Sequence, residues 1–349
     1  MTDASQTPPR HPRRGLAAPF VIVGLLLAAW TGWWFYLTTR IESRLEVQVE
    51  ALREDGWRIN YAKATTTGWP FRARVSIPHP DVIAPSGHGV AAPELVAEAN
   101  AWNPDKWVVV APDGLTLTRA GKGKVGIDGD GLRLSVSHLR DRFPDLRVQM
   151  IRPTFTAHRG AEPFPIASAE RIELYARPHL TEGAASTDEM DVLFRLIDAR
   201  GRPGGPVEGA TRQGRLTVEV EGTIEQAGRL SGVDNAGVFA NWTAAGGRFT
   251  AIRGELSAGE SHARIESDVL SARPDGRLEG EVSLRAEQPM AAIAGLAGSQ
   301  TGAVNRMGAA GAAAAAGASG DRGVDLVIRF RDGRTWLGPF ALAPAPKLF

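Results

Sequence analysis

The side chains that could do chemistry in this chain are few and scattered. The 349 residues contain no cysteine, which excludes disulfides, thiolate metal sites and cysteine nucleophiles. The histidines do not pair at the i, i+4 spacing of helical zinc ligands; they are His11, His79, His88, His138, His158, His179 and His262. Neither a G-x-S-x-G elbow nor an S-x-x-K pair is present. We therefore expect no catalytic residues, no bound metal and no cofactor.

Two short patterns imitate binding motifs. Residues 121–126, GKGKVG, have the glycine spacing of a dinucleotide fingerprint, but that motif needs a helix directly after it, and here the next residues predict turn and strand. Residues 128–131, DGDG, resemble the start of a calcium loop, yet its twelfth position is Leu139 instead of glutamate. Both patterns are typical of solvated turns.

The most distinctive stretch is GWPFRARV at residues 68–75. Trp69 and Phe71 are large apolar side chains, and Arg72 and Arg74 share the opposite face of the predicted strand from Phe71. One interpretation is a lipid contact, with the arginines on phosphates. The other, which we favour, is a strand with two solvated arginines beside an aromatic core plug, because a proline fits a strand start or edge.

The first segment with a clear structural pattern is an uncharged run of 22 residues, 16–37. A helix of that length is about 33 Å long and spans a hydrocarbon core of about 30 Å. Aromatic residues of the kind enriched at the lipid–water boundary lie near its far end, namely Trp30, Trp33, Trp34 and Tyr36. The run predicts a transmembrane anchor.

Charge predicts the topology of this anchor. Arg10, Arg13 and Arg14 precede the run, whereas the charges after it are mixed. The positive-inside rule therefore places residues 1–15 in the cytoplasm as a tail and the bulk of the chain in the periplasm, with one pass through the inner membrane. A cleaved signal peptide is the alternative. We favour an uncleaved anchor because Leu27 stands where a small residue is needed before Ala28-Ala29.

An amphipathic helix is predicted at 38–56. Ile41, Leu45, Val49 and Leu52 fall on one helical face. Such a face suits either a stalk helix that docks on the following domain or the seam of a coiled-coil dimer. We favour the stalk because fewer than three heptads are present.

The remaining residues, 57–349, predict a mostly β exported domain with a few helices. Apolar and polar residues alternate in four segments, 132–139, 215–224, 278–285 and 324–331. Asp-Gly pairs at 113–114, 275–276 and 332–333 predict hairpins. We expect a large curved antiparallel sheet that forms an apolar groove, or a β-sandwich with a closed core. Helices are predicted at 188–199, 233–245 and 289–297, and a flexible Ala/Gly loop at 298–323.

Together, the anchor, the amphipathic segment, GWPFRARV and the C-terminal VDLVIRFRDGRTWLGPFALAPAP resemble an uncharacterised alphaproteobacterial envelope family, domain of unknown function 2125. The resemblance implies no known activity and no catalytic residues. The layout is also similar to the AsmA-like envelope proteins associated with lipid movement, although likeness of architecture warrants little about function.

These observations predict a membrane-anchored periplasmic protein that binds or transfers a lipid, or supports envelope maintenance. Its expected partners are the inner membrane and either lipid or other envelope proteins. The alternative is an envelope scaffold without a ligand, and a periplasmic hydrolase with a site assembled from scattered residues is less favoured. With 40 basic and 39 acidic residues, the net charge of +1 argues against nucleic-acid binding.

Overall fold

The protein is described by a computed structural model that covers residues 14–212, 214–232, 237–300, 302–318 and 324–348. The α-helices are α1 (Arg14–Glu54), α2 (Pro206–Thr211), α3 (Ala240–Ala244), α4 (Pro289–Ala297) and α5 (Arg306–Ala318). Short 3-10 turns occupy Ala227–Arg229 and Gly237–Phe239. Most of the predicted cytoplasmic tail, residues 1–13, lies outside the described residues.

Strands make up most of the regular structure after α1. The first eleven are β1 (Arg58–Asn60), β2 (Thr65–Thr67), β3 (Arg72–Pro78), β4 (Asp81–Ile83), β5 (Gly89–Ala91), β6 (Glu94–Asn100), β7 (Asn103–Val110), β8 (Leu115–Arg119), β9 (Gly123–Asp128), β10 (Gly131–Ser137) and β11 (Asp145–Ile151). The others are β12 (Thr154–Ala157), β13 (Ile166–Ser168), β14 (Arg171–Thr181), β15 (Ala184–Gly201), β16 (Leu216–Glu225), β17 (Arg248–Ala258), β18 (Ser261–Ala272), β19 (Leu278–Glu287), β20 (Val324–Arg331), β21 (Arg334–Leu337) and β22 (Phe340–Pro344).

These strands form one antiparallel sheet that does not close and that has two arms. The long arm runs β2, β3, β6, β7, β10, β11 and then β14 to β22 in hydrogen-bonded order. The short arm runs β1, β4, β5, β8, β9, β12 and β13, and β13 joins the end of β15. The prediction of a mostly β chain with an apolar N-terminal helix and a large antiparallel sheet is confirmed.

The two arms are halves of the same bent strands. The chain passes seven times between the arms, through two residues in five cases, for example between β3 and β4, and through four residues in the other two. Backbone hydrogen bonds join neighbouring bends: Ala92 N–H donates to Pro80, and Ala169 N–H donates to Pro153, at 3.0 and 3.1 Å. The bends therefore align along a crease, and the sheet folds over on itself as a V.

Small and ring-constrained residues occupy this crease. Ala92, Ala111, Pro153, Ala169 and Ala199 are all buried there. Because protein interiors are close-packed, larger side chains at these buried positions would displace one arm.

Near the crease the arms face each other as a sandwich. Ile127 of the short arm and Leu132 of the long arm are buried in the same cluster, together with Leu115, Leu117, Phe155, Leu95 and Met150. The short-arm strands contain only three to six residues, whereas β15 contains 18. The short arm therefore covers the crease end of the long arm and leaves the outer part to other elements.

Helices replace the short arm over the last strands. Residues of α4 and α5, including Ile293 and Ala309, pack against Leu337 and Leu342 of β21 and β22. The prediction of a flexible loop at 298–323 is therefore wrong for Arg306–Ala318, because these residues form α5. Its glycines and alanines have a packing role, because Gly311 lies so close to Phe340 that a β-carbon would clash.

A second correction concerns residues 188–199, which lie in β15 instead of forming the predicted helix. The segment pairs with β14 on one side and β16 on the other, and this double pairing outweighs the helical spacing of its apolar residues. The predicted helix at 289–297 is present as α4, and the described part of 233–245 holds the second 3-10 turn and α3.

The Asp-Gly turns have two different outcomes. Asp275-Gly276 and Asp332-Gly333 close the β18–β19 and β20–β21 hairpins, as predicted. Asp113-Gly114 does not close a hairpin, because β7 lies in the long arm and β8 in the short arm. That turn lies at the crease.

Helix α1 is long and apolar enough to cross a membrane, a property shared by anchors and signal sequences. Residues 18–29 are exposed all round, whereas from Trp34 onward one face docks on the sheet. Trp34 and Leu37 pack with Ala73, Ala101 and neighbouring residues. The predicted amphipathic face follows the same side, with Val49 buried near the end of the helix. Within this chain, the face therefore contacts its own sheet.

We expect Trp34→Ala to lower the free energy of unfolding by about 3–5 kcal/mol, because the side chain is 6% exposed and its indole N–H donates to the Arg72 carbonyl oxygen at 2.8 Å. Phe35→Ala, at a residue 60% exposed, is the matched control and should change it by less than about 1 kcal/mol. Urea unfolding of the full chain in detergent, followed by circular dichroism, measures both. Equal losses would contradict the docking of α1.

Candidate functional site

The inner face of the long arm is apolar across many strands. Directly paired positions form one row that crosses twelve strands: Val75, Ala97, Val109, Leu134, Val148, Leu174, Phe194, Val220, Gly254, Ile265, Leu284 and Leu326. Because side chains alternate between the faces of a strand, this row and the apolar rows beside it lie on the side that faces the short arm.

Part of this inner face is open. Leu146, Leu174 and Phe194 are 37%, 39% and 37% exposed, although they lie on the same face as the buried core. Leu174 and Phe194 are directly paired across β14 and β15, and Leu146 is their diagonal neighbour on β11. We name these three side chains the apolar window.

Two covered regions border the window. On the β7 side, Trp107 packs with the cluster that holds Trp34 of α1. On the β16 side, the fully buried Trp242 of α3 contacts Phe249, with ring centroids 4.8 Å apart, and its indole N–H donates to the Glu225 carbonyl oxygen. The window is therefore the gap between the segments that cover the two sides.

A second apolar space lies at the outer end of the short arm. It is a cleft of about 420 Å³, within the size range of small-ligand sites. Val90 and Leu117 line its short-arm side, whereas Val238 and Phe239 line the opposite side. Leu117 also belongs to the core between the arms, so the cleft opens on the interior of the V.

The outer face of the long arm has the opposite character. Arg133, Gln149, Glu173, Arg195 and Glu219 are paired in register across five strands. The Gln149 amide donates to Glu173 at 2.7 Å, and Arg195 donates to Glu219 at 2.8 and 3.0 Å. The hydrogen bond to Glu219 raises the pKa of the Arg195 guanidinium above its ordinary value. Gln149 and Glu173 are buried within this network, whereas Arg195 and Glu219 reach solvent, so the outer face is polar and hydrogen-bonded where the inner face is apolar.

Polar pairs that could suggest catalysis lie on this outer face. His179 Nδ1 is 2.7 Å from Asp191, but Thr223 donates to the same carboxylate and not to the histidine. Ser257 Oγ lies 2.9 Å from His262 Nδ1 on an exposed surface. Within the described ranges, no group of three His, Asp or Glu side chains is arranged to hold a metal ion.

The structure brings together the residues that the sequence had singled out near the anchor. Trp30 and Trp33 donate from their indole N–H groups to the carbonyl oxygens of Pro70 and Ala101, at 2.8 and 3.2 Å. With the bond from Trp34 to Arg72, three indoles of the predicted interface set donate to the β2–β3 turn, to the first residue of β3 and to the β6–β7 turn. The fourth member, Tyr36, is exposed.

The favoured interpretation of GWPFRARV is wrong in one respect. Trp69 and Phe71 are 49% and 62% exposed and do not form a core plug. Arg72 and Arg74 both pair with Glu98, at 3.0 and 3.4 Å, on the outer face. The segment therefore presents exposed aromatic rings beside a shared ion pair.

The sequence patterns did not identify several exposed apolar residues. Trp102 has no motif around it, yet it lies beside Phe71 with ring centroids 6.3 Å apart. Phe194 was hidden inside the predicted helix 188–199. Leu174 follows Ile172 at strand spacing, and this alternation was the available signal for its face.

We predict that Leu174→Ala lowers the free energy of unfolding by about 1 kcal/mol or less, because the window side chain is already part-solvated. Leu196→Ala, two residues beyond Phe194 on the same face of β15, should lower it by about 2–5 kcal/mol, because this leucine is 8% exposed. Denaturant unfolding of the two variants provides the comparison. A larger loss for Leu174 would show that the window is ordinary core.

Comparison with known proteins gives a family and no function. No curated protein and no solved structure matches the chain. Residues 34–346 match the family described as uncharacterized protein conserved in bacteria (DUF2125). The match begins at Trp34, the first buried residue of α1 in the described range, and it ends in the residues that follow β22. Because it spans most of the sequence, the chain belongs to the DUF2125 family.

Proposed function

We propose that this protein is a single-pass, membrane-anchored periplasmic protein that takes up an acyl chain of a lipid in its apolar window. The observation that carries the proposal is the exposure of Leu146, Leu174 and Phe194 on adjacent strands inside the V. Apolar side chains on an inward face are normally buried, so their exposure supports the proposal that an apolar ligand covers them.

An acyl chain suits this surface in shape and chemistry. The rows of the inner face are narrow, continuous and without charge in the region of the window. Each methylene moved from water to such a surface contributes about 0.8 kcal/mol. The cleft between Val90 and Val238 offers a second apolar surface inside the same V. A polar headgroup would remain in solvent at the open side.

The anchor is part of the proposal. Helix residues 18–29 are exposed, as expected for a segment surrounded by lipid. The arginines before them are typical of the cytoplasmic side of the inner membrane. Helix α1 continues without a break from this segment to its docking site on β3. Lipid leaving the membrane would therefore reach the β3 edge of the inner face, four strand spacings, or about 19 Å, from Leu146 on β11. In this role the protein binds or hands on lipid without changing it chemically.

A scaffold function is the second candidate. The same window would accept an apolar segment of another envelope protein, because the exposed rings and methyl groups contain no feature that selects lipid over an apolar peptide. The two candidates differ in what occupies the window, and occupancy is measurable.

We expect the anchor to be retained. The intact mass of chain extracted from bacterial membranes should correspond to all 349 residues, about 37.2 kDa. Leu27 before Ala28-Ala29 makes a poor cleavage site. Leu27→Ala is the matched variant, because it creates a small-residue pattern at the same place. A mature chain beginning near Trp30 in the unmodified protein would refute the retained anchor.

We predict that a photoreactive benzoylphenylalanine at position 174 captures lipid. The same residue at Tyr175 is the matched control, because neighbouring positions on a strand point to opposite faces. Tyr175 is already aromatic, so the control replacement is mild. After irradiation of cells, mass spectrometry of the purified full chain should show lipid adducts from position 174 in several-fold excess over position 175.

The other outcomes of this experiment are equally informative. A protein adduct from position 174 would favour the scaffold and reject lipid as the occupant. Equal lipid adducts from both positions would indicate general contact with the bilayer, and no adduct from either would leave the window without an occupant. Each of these results would overturn the acyl-chain proposal.

A further inference from the structure

Three exposed aromatic side chains surround the docking point of α1. Trp69, Phe71 and Trp102 are 49%, 62% and 59% exposed, and they come from the β2–β3 turn and the β6–β7 turn. Phe71 and Trp102 meet edge to face. We name these three residues the aromatic collar. Such large side chains, adjacent and facing solvent, are unusual on a surface that faces only water.

Indole hydrogen bonds fix the height of the collar along α1. Trp30 binds the carbonyl oxygen of Pro70, which lies between two collar residues, and Trp33 binds that of Ala101, which precedes Trp102. Ala73 and Ala101 are fully buried in the same contact. The collar turns therefore lie level with helix residues 30–34.

This height places the collar within the membrane if α1 spans it. From Leu16, where the uncharged run begins, to Trp30 is 14 helical steps, or about 21 Å. The hydrocarbon core is about 30 Å thick, so the helix reaches its periplasmic boundary only near Leu37. Tilt of the helix would lower the collar further into the bilayer. The turns cannot remain clear of the lipid while residues 16–37 span it.

We infer that the aromatic collar inserts into the periplasmic boundary of the lipid bilayer and seats the β-sheet directly on the membrane. This inference rests on the anchor proposed above, and it commits to lipid as the occupant because the collar is continuous with the apolar surface of α1. Tryptophan and phenylalanine side chains at this level match the aromatic belts of membrane proteins.

The backbone carbonyl groups of the two turns have hydrogen-bond partners within the protein, as a position at the membrane boundary requires. The carbonyl oxygens of Pro70, Arg72 and Ala101 each accept an indole hydrogen bond, so these backbone groups retain partners at the membrane boundary. Arg72 and Arg74 share the single carboxylate of Glu98, which leaves one positive charge beside the collar. Long arginine side chains reach from an apolar boundary to lipid phosphates.

Seating on the membrane would set the position of the rest of the molecule. Helix α1 runs from the collar toward Gly56. Gly56 lies close to Pro85, which is at the outer end of the short arm. The 17 helical steps from Leu37 to Glu54 span about 25 Å. The outer end of the short arm, including Lys122, is therefore expected to lie well away from the lipid.

Nitroxide labels can measure these depths in the full chain, because it has no cysteine and single-cysteine variants need no further change. The protein is reconstituted into vesicles of phosphatidylethanolamine and phosphatidylglycerol, and accessibility to oxygen and to a soluble nickel complex is compared. The labelled variants are Phe71→Cys, Asn103→Cys, Leu26→Cys and Lys122→Cys. Asn103 adjoins Trp102 and leaves all three collar residues intact.

We expect the oxygen-to-nickel accessibility ratio at positions 71 and 103 to exceed that at 122 by several-fold, and that at 26 to be highest. Water-like ratios at 71 and 103 with a lipid-like ratio at 26 would overturn the collar insertion while leaving the anchor intact. Water-like ratios at all four positions would overturn the anchor itself, and the inference with it. Circular dichroism of each variant confirms that the β structure is retained.

Discussion

The bend in each strand is the constraint on which the rest of this structure depends. Successive long strands turn at the crease without losing their neighbours, because backbone hydrogen bonds such as those from Ala92 to Pro80 and from Ala169 to Pro153 continue the pairing through it. Small side chains let the two arms approach. A single meander thereby makes both layers of a core, and its longer layer extends beyond the shorter one.

The apolar surface that extends beyond the short arm must then be covered or remain open. Helix α1 covers it at β3 to β7, and α3 together with its flanking turns covers the β16 end. Between them the window stays exposed, at a cost of about 25 cal/mol for each Å² of apolar surface in water. Our proposal that an acyl chain lies there joins this exposure to the proposed membrane anchor. The collar inference adds that the same helix holds the sheet against the source of such lipid.

Sequence periodicity predicted what local pattern can specify. Alternation identified β10, β16, β19 and β20, and helical spacing from Ile41 to Leu52 identified the docking face of α1. The failures were cases where distant pairing decided the outcome. Residues 188–199 satisfy a helical pattern equally well, and Asp113-Gly114 marks a turn without indicating which arm the next strand joins. Local sequence patterns could not predict the exposure of the window, because this exposure depends on where the covering helices and turns end.

Native mass spectrometry of the full chain released from detergent micelles is the most direct test of lipid on the inner face of the sheet. We expect a bound species of lipid mass that survives micelle removal and that is lost when Leu174→Asp and Phe194→Asp are combined. Their exposure should allow the variant to fold, which circular dichroism can verify. No lipid on the unmodified chain, or equal lipid on both chains, would show that the window does not hold lipid.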